Sequence, residues 1–72
     1  MMSELKYYEA VKKIRMAKLM NISEFARELK VHPASIINWE TGKRKPKFSN
    51  IRSLLSIAKS LKLDIKPSDF IS

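Results

Sequence analysis

The chain has no cysteine, a single histidine, and no run of more than two consecutive apolar residues. Without cysteine there is no disulfide scaffold, no thiolate zinc site and no thiol nucleophile. His32 stands alone among scattered carboxylates. It therefore lacks the partner that general acid–base chemistry or a metal site needs, and no enzymatic activity, metal or cofactor is expected. The short apolar runs exclude a membrane span and a signal-peptide core, so a cytoplasmic location is expected. Aromatic residues make up only 8% of the chain, too few to favour an RNA surface built on base stacking. Acidic residues are scarce as well: seven, against fifteen lysines and arginines, leaving a net charge of +8.

What is present points to one small folded domain. At 72 residues and 44% hydrophobic, the chain can bury about 60% of its unfolded surface around a modest core. Its positive charge is not spread evenly. Residues 41–52 hold Lys43, Arg44, Lys45, Lys47 and Arg52 and no acid, immediately after the only glycine and around Pro46. Charge kept for solubility would be dispersed. A localised basic loop is the footprint of contact with phosphates.

Apolar periodicity predicts helices. From Leu5 to Leu19 the residues Tyr8, Val11 and Ile14 recur at spacings of three, with Ser3 as a candidate N-cap. Asn21 or Ser23 caps a short second helix that buries Phe25, Ala26 and Leu29 and leaves Glu24, Arg27 and Glu28 outside. Pro33 suits the first turn of a third helix, with His32 at the cap position, and that helix runs to Thr41 and stops at Gly42. A fourth starts near Ser49 or Asn50 with the stripe Ile51, Leu54, Leu55, Ala58 and Leu61. Pro67 opens a short final helix, and the alternation of Leu61, Leu63 and Ile65 offers a short strand as the alternative before it. Met16 and Met20 read as core filler, and Tyr7, Tyr8 and Phe48 as core or rim. The expected fold class is all-α: a compact domain of four to five helices spanning residues 1–72.

The third helix has two unlike faces. At about 100° per residue, Ile36, Trp39 and Glu40 share one side, and Ala34, Ile37, Asn38 and Thr41 the other, flanked by Pro33 and Ser35. The first face is core-like. The second carries no charge, which is unusual for the outer face of a small domain. Base edges in a major groove would explain it, since Asn can bridge adenine N6 and N7 and aliphatic groups meet thymine methyls. On spacing alone, Ile37 could equally cover a neighbouring loop and leave Asn38 merely exposed. Glu40, on the inner side, needs a partner, and Arg15 at the border of the first helix's stripe is the candidate for a structural ion pair.

Arg15, Phe25-Ala26, Val31, Ile36 and Trp39-Glu40-Thr41-Gly42, followed by basic residues and Pro46, resemble the lambda-repressor/Cro-type (XRE-like) helix-turn-helix family over residues 8–63. The resemblance implies a lambda-repressor-like DNA-binding domain whose helix-turn-helix spans about residues 22–41. It places base contacts on Pro33, Ala34, Ser35, Ile37 and Asn38, and phosphate contacts on Asn21, Ile22, Thr41, Lys43, Arg44, Lys45 and Lys47. It also assigns the buried pair to Arg15 and Glu40. Three positions depart from the family pattern. Ile22 stands where Gln is frequent, Lys30 where the turn usually has Gly, and Pro33-Ala34 where polar residues begin the recognition helix. The last departure shifts readout toward apolar contacts and DNA shape.

The implied function is sequence-specific binding of double-stranded DNA by a small transcriptional regulator, a repressor of phage or mobile-element type, bacterial or phage-encoded. One such domain makes few contacts, so a homodimer on a palindromic operator is expected, with half-sites about one helical turn apart. The C-terminal segment 62–72, with Phe70 and Ile71 short of chain to bury them, is the expected dimerisation surface. The alternative is an antitoxin-like module that binds a small protein partner and whose DNA binding is autoregulatory.

Overall fold

The computed structural model describes residues 5–71. Four α-helices follow one another, α1 (Tyr7–Ala17), α2 (Ile22–Leu29), α3 (Pro33–Glu40) and α4 (Phe48–Ser60), and a 3₁₀ helix (Pro67–Phe70) closes the chain. The described residues contain no strand. Residues 61–65 alternate in polarity, but the described residues hold no second strand to pair with them. Instead Leu63 and Ile65 pack against the helical core from an irregular segment.

The helix starts follow from local hydrogen bonding. Ser3 lies outside the described residues. The cap position of α1 is Lys6, whose backbone N–H donates to Glu9 Oε1 at 2.9 Å. In α2 the expected cap is Asn21. Its Oδ1 accepts from the Glu24 N–H at 2.8 Å, while the Asn21 N–H donates to Glu24 Oε1 at 2.9 Å, satisfying two otherwise orphaned donors. At α3, His32 Nδ1 accepts from the Ala34 N–H at 3.1 Å, and Pro33 needs no partner because it has no N–H. α4 starts at Phe48, one residue before the positions that the sequence suggested.

All four α-helices end alike. A residue in the left-handed region follows each: Leu19 (φ 59°), Lys30 (59°), Gly42 (80°) and Lys62 (60°). The N–H of the next residue bonds back five positions, Met20 to Arg15, Val31 to Ala26, Lys43 to Asn38 and Leu63 to Ala58, at 2.9 to 3.3 Å. This closure satisfies terminal carbonyls and turns the chain sharply. Only Gly42 adopts the conformation freely. For a side-chain-bearing residue it costs about 1–2 kcal/mol. Lys30 therefore keeps the left-handed turn expected of glycine and accepts the strain. After three of the four turns the next residue, Met20, Val31 or Leu63, packs on the core, which anchors the reversal.

The core draws on every element. α1 contributes Tyr7, Ala10, Val11 and Ile14 at the i, i+3, i+4, i+7 spacing of a helical stripe. That stripe starts at Tyr7 and not at Tyr8, because Ala10 joins Val11 in the buried row and turns Tyr8 toward solvent. α2 adds Phe25 and Ala26, α3 adds Ile36 and Trp39, and α4 adds Leu54 and Ala58. Leu29, Ile51, Leu55 and Leu61 are half-buried at the margin. Met16 is exposed and does not fill the core, since it follows Ile14 and Arg15 onto the outer side of α1.

The C-terminal segment also departs from expectation. Phe70 is only 2% exposed and belongs to the core, where the 3₁₀ helix sets it against α1 and α4. Its ring is already covered by its own chain, so it cannot serve as a dimerisation surface. Ile71, by contrast, is 71% exposed. Phe48 is likewise exposed, because the first residue of α4 precedes the turn that reaches the core.

Candidate nucleic-acid interface

The helix-turn-helix is built from α2 and α3, which pack on each other across the Lys30 turn. Ile36 and Trp39 fix one side of α3 in the core, and this fixes what the other side presents. Ala34, Ile37 and Thr41 are exposed there, and Pro33, Ser35 and Asn38 are half-exposed. Ile37 retains 46% of its surface and is one of the exposed large hydrophobic residues. The face is neutral along its length, without any lysine or glutamate.

A charged clamp sets the orientation of α3. Arg15 Nε and Nη2 donate to Glu40 Oε2 and Oε1 at 2.7 and 3.0 Å, a two-pronged pairing that fixes angle as well as distance. Arg15 Nη1 also donates to the Met20 carbonyl at 3.0 Å. One guanidinium thus joins α1, the turn into α2 and the end of α3. Both side chains are largely buried, 13% and 9% exposed. The hydrogen bond to Glu40 raises the Arg15 pKa above its ordinary value, outweighing the opposing effect of burial. A second, more exposed bridge, Lys18 Nζ to Glu28 Oε2 at 2.8 Å, ties the end of α1 to α2.

The basic loop leaves the C-terminal end of α3. The Lys43 and Arg44 N–H groups both donate to the Asn38 carbonyl, at 2.9 and 3.2 Å, so the loop begins folded against α3. Buried Pro46 pins its middle. Lys43, Arg44, Lys45 and Lys47 are all exposed, but they are not equivalent. Lys45 Nζ donates to the Ile71 carbonyl at 3.1 Å and lies 5.7 Å from the centre of the Tyr7 ring. It fastens the C-terminal turn, and reaching a phosphate would mean giving up both contacts. Arg52, grouped with these residues by sequence, sits on α4 beside Lys30 and Ser56.

The start of α2 also differs between side chain and main chain. Ile22 packs its side chain against the core, leaving its backbone at the helix terminus. Asn21 is exposed, with its amide oxygen engaged in the cap. The Thr41 hydroxyl donates to the Ile37 carbonyl at 2.8 Å. Two features escaped sequence reasoning. One is the role of Lys45, for which no local pattern exists. The other is the contact of Tyr8 with Gly42, where a Cβ added to the glycine would lie 3.3 Å from Tyr8 Cδ2.

No helix among the described residues is long and apolar enough to cross a membrane. Among the same residues, no three His, Asp or Glu side chains gather where they could hold a metal ion. A helix-turn-helix family model of the XRE/lambda Cro type matches residues 11–66. No curated protein and no solved structure gives a significant match. The matched span starts within α1 and ends just before the 3₁₀ helix, so it includes the whole of α2, α3, the basic loop and α4. The chain belongs to the XRE/lambda Cro-type helix-turn-helix family, sequence-specific DNA-binding regulators with an all-helical, lambda-repressor-like fold.

Proposed function

We propose that the protein is a transcriptional repressor of phage or mobile-element type that binds a palindromic operator as a homodimer. The observation that carries this reading is the uncharged outer face of α3 beside a loop of exposed cations. Charge supplies affinity for any DNA, whereas a neutral face can discriminate among bases without adding to that background. α3 enters the major groove. Asn38 and Ser35 meet base edges by hydrogen bonds, and Pro33, Ala34 and Ile37 by apolar contact. Lys43, Arg44 and Lys47 hold one stretch of backbone, with Thr41 beside them, and the main chain at Asn21 and Ile22 meets phosphate at the start of α2. Lys45 joins them only by leaving the C-terminal turn.

A monomer of this size covers about one half-site, and a second copy supplies the rest of the contact area that specific binding needs. Exposed Ile71 is the candidate surface for pairing. Repression then follows from occupancy of a promoter and needs no chemistry.

Selection of bound sequences from a random duplex pool tests the proposal. A palindromic consensus, retained in a complex whose mass corresponds to two chains per duplex, is expected. Enrichment of an asymmetric site bound by one chain would overturn the dimeric reading. Absence of any enrichment would overturn the proposal, and co-purification of a small protein partner would favour the antitoxin-like alternative.

A further inference from the structure

Tyr7 and Tyr8 are neighbours in sequence but have separate roles. Their rings meet edge to face, with centres 5.6 Å apart. Tyr7 is buried beneath the Lys45 ammonium. Tyr8 faces outward, 36% exposed, and lays one ring edge along Gly42. Cδ2 would lie 3.3 Å and Cε2 3.7 Å from a Cβ built on that glycine. The Tyr8 hydroxyl is attached one ring carbon beyond Cε2 and points away from the glycine, whereas the Tyr7 hydroxyl lies 3.9 Å from the same Cβ position. None of the side-chain hydrogen bonds among the described residues uses the Tyr8 hydroxyl. The ring is thereby held against Gly42, where α3 passes into the basic loop, and it carries an unpartnered neutral donor on its outer side. The glycine serves this arrangement twice, through its positive φ and by leaving room for the ring.

We propose that Tyr8 is a DNA-backbone contact, its hydroxyl donating to a phosphate of the strand that Lys43 meets. This rests on the reading that places the basic loop on phosphates. Tyr8 comes from α1, outside the helix-turn-helix, so it ties a third helix to the DNA. It carries no charge, so its contribution differs in kind from that of its basic neighbours. A lysine–phosphate contact releases a counterion and steepens the salt dependence, whereas a hydroxyl–phosphate bond releases none. Being made to the backbone, the bond adds affinity for every sequence alike.

The test is fluorescence anisotropy with a labelled random-sequence duplex across a potassium chloride series, comparing wild type, Tyr8→Phe and Lys43→Gln. Tyr8→Phe is expected to weaken binding about ten-fold at every salt concentration, the scale of a hydrogen bond to a charged group. Its plot of log affinity against log salt should run parallel to wild type, and its melting temperature should be unchanged. Lys43→Gln should flatten the slope by about one unit. A flattened Lys43→Gln slope together with unaltered Tyr8→Phe affinity overturns the Tyr8 contact alone. An unchanged Lys43→Gln slope overturns the placement of the loop on phosphates, and the Tyr8 contact with it. A lowered melting temperature or an altered slope for Tyr8→Phe also overturns the proposal, because the hydroxyl would then be acting within the protein or through charge.

Discussion

Replacing Glu40 by alanine should cost far more stability than removing the whole pair. Arg15 donates twice to Glu40 and once to the Met20 carbonyl, and both side chains are mostly shielded from water. Glu40→Ala leaves the guanidinium in place with its charge unanswered. Removing one member of a fully buried pair costs about 3–5 kcal/mol. Some solvent reaches this pair, so about 3 kcal/mol is expected, a fall of roughly 15 °C in Tm for a domain this small. The double variant Arg15→Met/Glu40→Leu leaves no stranded charge. It forfeits the bond to Met20, worth about 1 kcal/mol, and should otherwise lie near wild type. Thermal and urea unfolding followed by circular dichroism measure all three forms. Because the Arg15 pKa is raised, its folded state holds the proton more tightly than its unfolded state. That stabilisation is fully present below the guanidinium's ordinary pKa and is lost only as pH rises past the raised one, so the Arg15 contribution is constant around neutrality. A single-variant cost under about 1 kcal/mol, or a double variant no more stable than Glu40→Ala, would refute the reasoning.

Two further outcomes follow from strain and burial. Lys30→Gly and Leu19→Gly should each raise stability by about 0.5–1 kcal/mol in thermal unfolding, since relief of left-handed strain exceeds the extra entropy of an unfolded glycine; a loss in both would mean that these turns are not strained. Phe70→Ala should destabilise the fold by about 3–5 kcal/mol, while Ile71→Asp should leave its melting unchanged and lower the sedimentation mass. Unaltered mass for Ile71→Asp would remove Ile71 from the pairing surface.

Helices α2 and α3 were legible in the sequence because their signals are local. Asn21 with Glu24 three residues on, and Pro33 after His32, are marks of a helix start that need no tertiary context. The face of α3 was legible for the same reason, since angular stepping separates Ile36 and Trp39 from Ile37 and Asn38. The Arg15–Glu40 pair spans twenty-five positions but could be reached, because an inward carboxylate demands a cation. What could not be read depends on how separate segments meet. The burial of Phe70 depends on a 3₁₀ turn folding back onto α1 and α4. The use of Lys45 depends on where the Ile71 carbonyl arrives, twenty-six residues later. Apolar spacing alone places Tyr8 on the stripe of α1, but a helical spacing fits either tyrosine, and only packing decides between them.

The central claim is that a neutral face chooses the sequence while the charged loop supplies general affinity. Its most direct measurement is the affinity of wild type and Asn38→Ala for the selected site and every single-base variant of it. The account predicts that Asn38→Ala loses discrimination at one base pair of each half-site, costs about 1–3 kcal/mol on the selected sequence, and binds random DNA as wild type does. Equal weakening on every sequence, with all base preferences intact, would contradict it.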